Sequence, residues 1–251
     1  HFDYESGTVH IEQSAQTKKV LMDFGMSECN SSGAKAPALQ GVPPCQDDCI
    51  EPGVDWDGKD FDMEKLVGHL QYLYMCTRPD IGYVLKILSR FTKSFGPKHV
   101  QFAKHVLRYL RGTLTLGLNY TRGFPLYPQI FTDASHANDK DTRKSILSVV
   151  VKVGGNTVYW KNHFSKIVSH SSTESELMAL DKGATVSEMV RWLIESLGGP
   201  AQEIIEIFVD NNGTISIACN PVQQGRNVHV HARYYYVRDL VYGGSVRVDH
   251  L

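Results

Sequence analysis

The chain has no excess of charge of either sign: 26 Lys and Arg face 27 Asp and Glu, for a net charge of -1. No global basic field draws it to nucleic acid, so any such binding has to be local. No apolar run reaches the roughly 18 to 20 residues of a bilayer span, and the N-terminus, HFDYESGTVH, lacks the basic and apolar regions of a secretory signal. A protein outside the membrane and outside the secretory route is expected. Cysteine is scarce. Cys29, Cys45, Cys49, Cys76 and Cys219 are odd in number and scattered, which excludes a disulfide framework and favours a reducing compartment. Cys45-x-x-x-Cys49 has no further Cys or His at zinc spacing, so a structural zinc site is not expected. Internal repeats are absent. What is present is a chain of 251 residues, 42% hydrophobic and 10% aromatic, enough to fill a core and to exclude disorder as the main state. It begins at His1 and stops at Leu251 directly after the strand-like SVRVDHL, so a piece of a longer protein is expected.

Hydrophobic periodicity divides the chain. Residues 7–13 alternate like a strand, and QTKKVLMDFGM from Gln16 reads as a short helix with Val20, Leu21 and Phe24 on one side. From Ser27 the chain collects Ser, Gly, Pro and Asp without apolar period, which reads as a linker. Helical stretches follow at about 62–76, 80–94 and 97–112, the last opening on a proline and carrying Val100, Ala103, Val106, Leu107 and Leu110 on one face. TRGFPLYP then marks a boundary. The division expected is 1–26, 27–60 as linker, 61–125 as a small helical module, and 126–251.

In the last segment the period changes. QIFTDAS, SILSVVVKVG, NTVYWKN and FSKIVSH are strand-like and are most economically read as three antiparallel strands. A long helix from Thr173 to about Leu197 is expected to bury Leu177, Leu180, Ala184, Val190, Leu193 and Leu197, and to end at Gly198-Gly199-Pro200. A strand EIIEIFVD, helices at 213–219 and about 227–241, and a strand SVRVD follow. The class is α/β: a mixed five-stranded sheet with the fourth strand beside the first and the long helix over one face.

Asp133 and Asp210 each end a hydrophobic strand, in IFTDAS and IFVDNN, and Glu176 lies in the first turn of the long helix, STESELMAL. Neighbouring strands crossed by that helix would bring three carboxylates to one sheet edge. Like charges so close raise one another's pKa unless a cation sits among them, and hard oxygen donors select magnesium. Each residue alone also has a structural reading. Thr173-x-x-Glu176 and Ser171-x-x-Glu174 are both capping boxes, and Asp before Asn-Asn-Gly is an ordinary turn.

The blocks FTDAS, TESELMAL and FVDNNG, in that order, resemble the ribonuclease H fold. TRPDIGYVLKILSRF, HVLRYLRGT, DKDTRKS, SSTESELMAL, VDNNGTISIACNPV and HVHARYYYVRDLV resemble the C-terminal part of the Pol polyprotein of copia-type LTR retrotransposons, over almost the whole chain. The helical module resembles the segment linking reverse transcriptase to ribonuclease H, and HFDYESGTVHIEQ resembles the last hairpin of the polymerase palm. The resemblance implies cleavage of the RNA strand of an RNA/DNA hybrid during reverse transcription. The hybrid would be recognised through 2′-hydroxyls and phosphates, and the products would carry a 5′-phosphate and a 3′-hydroxyl.

Two Mg2+ ions, with Mn2+ as a substitute, are implied as cofactors. Asp133 would bridge them, Glu176, the second acid of TESE, would hold one, and Asp210 the other; Glu174 is the tempting wrong choice. The fourth metal-site residue of the family is an acid where this sequence has His231. Three alternatives stay open: His231 is a weaker ligand, Asp239 two turns on reaches in, or the site is impaired. The runner-up is therefore a non-catalytic retroelement remnant that keeps the fold and binds hybrid. An upstream reverse transcriptase domain is the implied partner, with no membrane. The implied location is cytoplasmic, in a virus-like particle, or nuclear. The palm strands would lie upstream of His1, so no polymerase activity is expected.

Other signals are weaker. Asp47-Asp48 sits in PPCQDDC, a solvated turn without strand flanks. His229-x-His231 has poor geometry for a shared metal on a helix, so His229 is read as a surface or core residue. Tyr234-Tyr235-Tyr236 reads as helix packing with one ring exposed. Lys104, Arg108 and Arg111 share a helix face by spacing, either a solvated stripe or a phosphate-contacting one, and Arg143 and Lys144 are candidates for contacts near the scissile strand.

Overall fold

The structure, a computed structural model, describes residues 2–30, 34–51, 53–123, 125–200, 204–220 and 231–251, the last without the side chains of 231–234. The chain forms two compact units, one ending at Asn119 and one beginning at Tyr120.

The first unit carries β1 (Phe2–Asp3), β2 (Thr8–Ile11), α1 (Ser14–Asp23), α2 (Met63–Cys76), α3 (Gly82–Leu88) and α4 (Pro97–Gly112). A third strand, β3 (Leu118–Thr121), runs through the boundary. Asp62 caps α2 by accepting the Lys65 amide at 2.8 Å. The α4 face foreseen from spacing, Val100, Ala103, Val106, Leu107 and Leu110, is buried. The second helical stretch stops at Leu88 rather than near 94, because Arg90 and Phe91 donate to Ile87 and Leu88 and tighten the chain out of the helix. The fully buried Arg78 is matched by Asp80, which accepts from Arg78 Nη2 and from the Tyr109 hydroxyl, each at 2.8 Å. Asp47 and Asp48 lie in a 3-10 turn where Asp47 is exposed, as a solvated turn requires, but Asp48 is half-buried, accepting the Cys45 amide at 2.9 Å and pairing with Lys98 at 3.0 Å.

The second unit carries β4 (Pro128–Ser135), β5 (Ile146–Val153), β6 (Asn156–Phe164), α5 (Ser172–Ser196), β7 (Ile205–Val209), α6 (Asn212–Cys219), α7 (His231–Tyr242) and β8 (Val246–His250). Its sheet runs β6-β5-β4-β7-β8. β4, β5 and β6 pair antiparallel, while β7 is parallel to both β4 and β8. This is the α/β class and the mixed five-stranded sheet that the sequence indicates, with the fourth strand beside the first. The three antiparallel strands read from the four strand-like runs are β4, β5 and β6, and the FSKIVSH run contributes only Phe164 to them. β6 runs through to Phe164, and Ser165 then turns the chain, its amide donating to Ser145 and its hydroxyl to Ile167.

Alternation along β4 buries Ile130, Thr132 and Ala134 and leaves Asp133 on the opposite side. α5 crosses the buried face so closely that a β-carbon on Gly183 would lie 2.6 Å from Thr132 Cγ2. The buried stripe of α5 is Leu177, Leu180, Ala184, Ser187, Val190 and Ile194. Leu193 and Leu197 were expected among them and are instead 47% and 79% exposed. The stripe advances by three or four residues, so Leu193 stands about 100° round from Ile194. Leu197 has already reached the C-cap, where Gly198 turns the chain with a φ of +76°.

Candidate metal centre

The paired register of β4 and β7 ends at Phe131 and Phe208, whose rings stack with centroids 5.1 Å apart. Two residues beyond each, on the same side by alternation, come Asp133 and Asp210. The two acids are therefore delivered together by adjacent parallel strands that stop pairing just short of them.

Glu176 comes from above. Ser171 caps α5, accepting the Glu174 amide at 3.1 Å, and Glu174 returns a carboxylate oxygen to the His170 amide at 2.6 Å. Glu174 therefore does the capping work and Glu176 does not, which separates the two boxes that the sequence left open. The cap at Asp210-Asn211 resolves likewise. Asn211 accepts the Thr214 amide at 3.0 Å and starts α6, so Asp210 is not consumed by the turn. The Thr214 hydroxyl then donates to the Thr173 carbonyl at 3.2 Å, fastening α6 to the first turn of α5.

The three carboxylates each offer an oxygen within 4.8 Å of the other two. Glu176, only 5% exposed, accepts the Ala134 amide at 3.2 Å through Oε1. Its Oε2 is buried with no hydrogen-bond partner among the described residues. Burial first, then the charges of Asp133 and Asp210, push the Glu176 pKa up to about 7. Asp133 is raised in the same direction by burial and then by Asp210. A buried carboxylate oxygen left unpaired beside two further acids is costly unless a cation neutralises the group, and three oxygen donors suit a hard divalent ion. The residues fit such an ion.

The remaining candidates are dispersed. His231 opens α7, but its side chain lies outside the described residues, and His229 lies outside them altogether. Asp239 is exposed on α7 and is not among the three clustered acids. Of the tyrosine run, Tyr235 and Tyr236 are both partly open, at 40% and 37%, and the Tyr234 side chain is not described. In the first unit Lys104 is exposed and Arg108 half-exposed on α4. Arg111 donates through Nε to the Cys29 carbonyl at 3.1 Å and pairs with Glu28. The stripe inferred from spacing is thus partly used within its own unit.

Arg143 and Lys144 lie in the loop between β4 and β5. Arg143 is exposed and holds a φ of +56°, a left-handed conformation that costs a non-glycine residue energy. The loop enforces it: the Arg143 amide donates to the Asp139 carbonyl at 2.8 Å, and the buried Asp139 side chain takes the Asp141 amide and the Thr142 hydroxyl. Sequence reasoning missed the role of the Ala134 amide, since a backbone donor leaves no residue-type signal. It also missed the serines around His136, which lie inside strand-like and helical runs and carry no signal of their own.

No protein-family model matches the chain. The retrovirus-related Pol polyprotein from transposon TNT 1-94 of Nicotiana tabacum is 34% identical over 185 residues, 72% of this chain and 14% of that protein. The corresponding polyprotein from transposon RE1 of Arabidopsis thaliana is 34% identical over 186 residues, 74% of this chain and 13% of its own length. An uncharacterised mitochondrial protein of Arabidopsis thaliana is 31% identical over 170 residues, 68% of this chain and 67% of that protein. Among solved structures, RNase H1 from the halophilic archaeon Halobacterium salinarum aligns over 50% of this chain and 85% of its own, with 12% identity and a TM-score of 0.37.

Proposed function

The chain belongs with the retrovirus-related Pol polyproteins of copia-type transposons, of whose length it spans about one seventh, and on that footing we propose that its second unit hydrolyses the RNA strand of RNA/DNA hybrids. The observation that carries this reading is the clustering of the Asp133, Glu176 and Asp210 carboxylates, with Glu176 Oε2 buried and without a hydrogen-bond partner among the described residues. Asp133, Glu176 and Asp210 would hold two divalent ions, Mg2+ or Mn2+, with Asp133 shared. Bound ions would supply the positive charge that eases deprotonation of the attacking water and stabilises the departing 3′ oxygen. The protein's own part is to fix the acids. β4 and β7 deliver two of them side by side, and the Ala134 amide anchors one oxygen of the third. Arg143, presented by its strained loop, and Lys144 are proposed to meet phosphates of the bound hybrid. Lys104 and Arg108 are proposed as further phosphate contacts, and Arg111 as a weaker one because it is already engaged.

Residues 1–26 are proposed as the end of a reverse transcriptase palm, 27–60 as linker and 61–125 as the helical connection. The partner is then the reverse transcriptase of the same polyprotein, in a cytoplasmic virus-like particle or the nucleus. No helix among the described residues is long and apolar enough to cross a membrane. A second reading rests on His231, a neutral or cationic side chain where the resemblance implies an acid: a fold that binds hybrid without cutting it. End-labelled RNA in a hybrid, incubated with each ion, separates the two. Shortened RNA supports the first reading; full-length RNA with salt-sensitive binding supports the second.

A further inference from the structure

Two neighbouring residues of α5 are stitched to the end of β4. Glu176 takes the Ala134 amide, and one residue earlier Ser175 meets the His136 ring, Oγ to Nδ1 at 3.4 Å. The Ser175 hydroxyl also donates to the Ser172 carbonyl at 2.7 Å, so toward His136 it is an acceptor in the tautomer that carries the ring hydrogen on Nδ1. The same nitrogen lies 3.1 Å from the hydroxyl of Ser169. Ser169 in turn lies 3.0 Å from the Ser145 hydroxyl, which accepts the Ala137 amide at 3.1 Å. Ser145 is also tied through its backbone: its amide donates to the Ser165 hydroxyl, and its carbonyl accepts the Ser165 amide.

Ser145, Ser165, Ser169 and Ser175 are all buried. A chain of buried hydroxyls is an expensive way to fill space, because each must find a partner inside the protein. Here the partners belong to four segments: the end of β4, the start of β5, the turn after β6 and the first turn of α5. The sheet already pairs the end of β4 with the start of β5, Ser135 opposite Ile146, and that start with the end of β6, Ile146 opposite Phe164, but no ladder ties the first turn of α5 to them. Asp133 immediately precedes the stitched residues of β4, and Glu176 is itself one of the stitched residues of α5.

We propose that His136, Ser145 and Ser169 are positioning residues for the acidic site, holding the first turn of α5 against the end of β4 so that Glu176 stays fixed relative to Asp133. The inference rests on the metal-site reading above. None of the three touches the reacting atoms, and they act through Ser175 and the Ala134 amide. Groups that orient metal ligands typically change affinity by about 10- to 100-fold when removed.

The test uses the whole chain and four variants: His136→Ala, Ser169→Ala, His136→Asn and Asp133→Asn. Asparagine presents an N–H close to the position of Nδ1, so His136→Asn should rescue. With Mn2+ alone as the calorimetric probe, His136→Ala and Ser169→Ala should weaken binding by about 10- to 100-fold, while His136→Asn stays near wild type. Amide hydrogen exchange without metal gives a second readout. Ala134 should exchange at least about tenfold faster in the two alanine variants, with Ile130 and Thr132 unchanged, since only local opening is involved. Faster exchange along all of β4 would mean a merely structural role and would overturn the proposal. Unchanged Ala134 exchange, or no rescue by His136→Asn, would overturn it as well. If wild type and Asp133→Asn bind Mn2+ equally poorly, the metal reading fails, and the exchange data still decide whether the network holds Glu176.

Discussion

The Ala134 amide satisfies one oxygen of Glu176, at 3.2 Å, and leaves the other buried without a partner among the described residues. A half-satisfied acid of this kind destabilises the metal-free protein when it ionises and becomes an asset when a cation arrives. The site's behaviour toward pH and metal follows from that asymmetry.

Glu176 is raised from an ordinary 4.5 to about 7. Its folded-state pKa lies above the unfolded one, so the folded state keeps the proton to higher pH. The associated stability is full below the unfolded value and is lost as pH climbs from about 4.5 through 7. Urea unfolding in a chelator should therefore give lower stability at pH 8 than at pH 5, by up to about 3 kcal/mol. Glu176→Gln should remove most of that slope, and a flat wild-type profile would count against the burial of an unpaired charge.

Metal should reverse the trend. Mg2+ or Mn2+ competes with the proton for Glu176, so saturating ion should raise the melting temperature at pH 8 and do much less at pH 5. Thermal scans at the two pH values, with and without ion, check this. An equal shift at both would point to ions binding elsewhere.

The two acids of TESE should separate cleanly. Ser171→Ala or Glu174→Ala should cost about 1 kcal/mol of stability by weakening the α5 cap, with cleavage per folded molecule kept. Glu176→Gln should lose cleavage by at least about a hundredfold, as removal of an essential electrostatic group commonly does, while folding is kept. Paired unfolding and cleavage measurements on these variants decide it, and the opposite pattern would exchange the roles.

This separation also shows what the sequence could and could not tell. Strand alternation and the position of Asp210 just past β7 were legible because period and turn residues are local signals, whereas Asp133, expected to end its strand, lies within β4, which stays paired with β5 through Ser135. That Asn211 rather than Asp210 caps α6, and Glu174 rather than Glu176 caps α5, was not legible, since both choices satisfy the same spacing rule and tertiary contacts choose between them. Leu193 and Leu197 were misassigned for a related reason: a helix with apolar residues on more than one side does not announce which side meets the sheet. The FSKIVSH run has β-forming residues, but Ser165 finds its partners in a turn.

Gly183 offers a packing test. A methyl there would press on Thr132 Cγ2 at 2.6 Å, so Gly183→Ala should lift α5 from β4 and cost about 1 to 3 kcal/mol, with cleavage reduced as Glu176 moves away from Asp133. Denaturant titration alongside initial rates would check both effects, and full stability would show that the helix can shift freely.

His231→Asp should increase Mg2+-dependent cleavage and remove a histidine-linked step near about pH 6.5, if His231 stands at the fourth position that the resemblance implies. Initial rates in both ions from about pH 5.5 to 8.5 are the measurement. Identical profiles for wild type and variant would take His231 out of the site.

The most direct measurement is end-group analysis of RNA from a labelled RNA/DNA hybrid incubated with wild type and with Asp133→Asn, in Mg2+ and in Mn2+. Wild type should give shortened RNA with 5′-phosphate and 3′-hydroxyl ends in at least one ion, while Asp133→Asn, folded and as stable or more so, leaves the RNA intact. RNA of full length with wild type in both ions, or equal cleavage by Asp133→Asn, would contradict the assignment of Asp133, Glu176 and Asp210 as a hydrolytic metal centre.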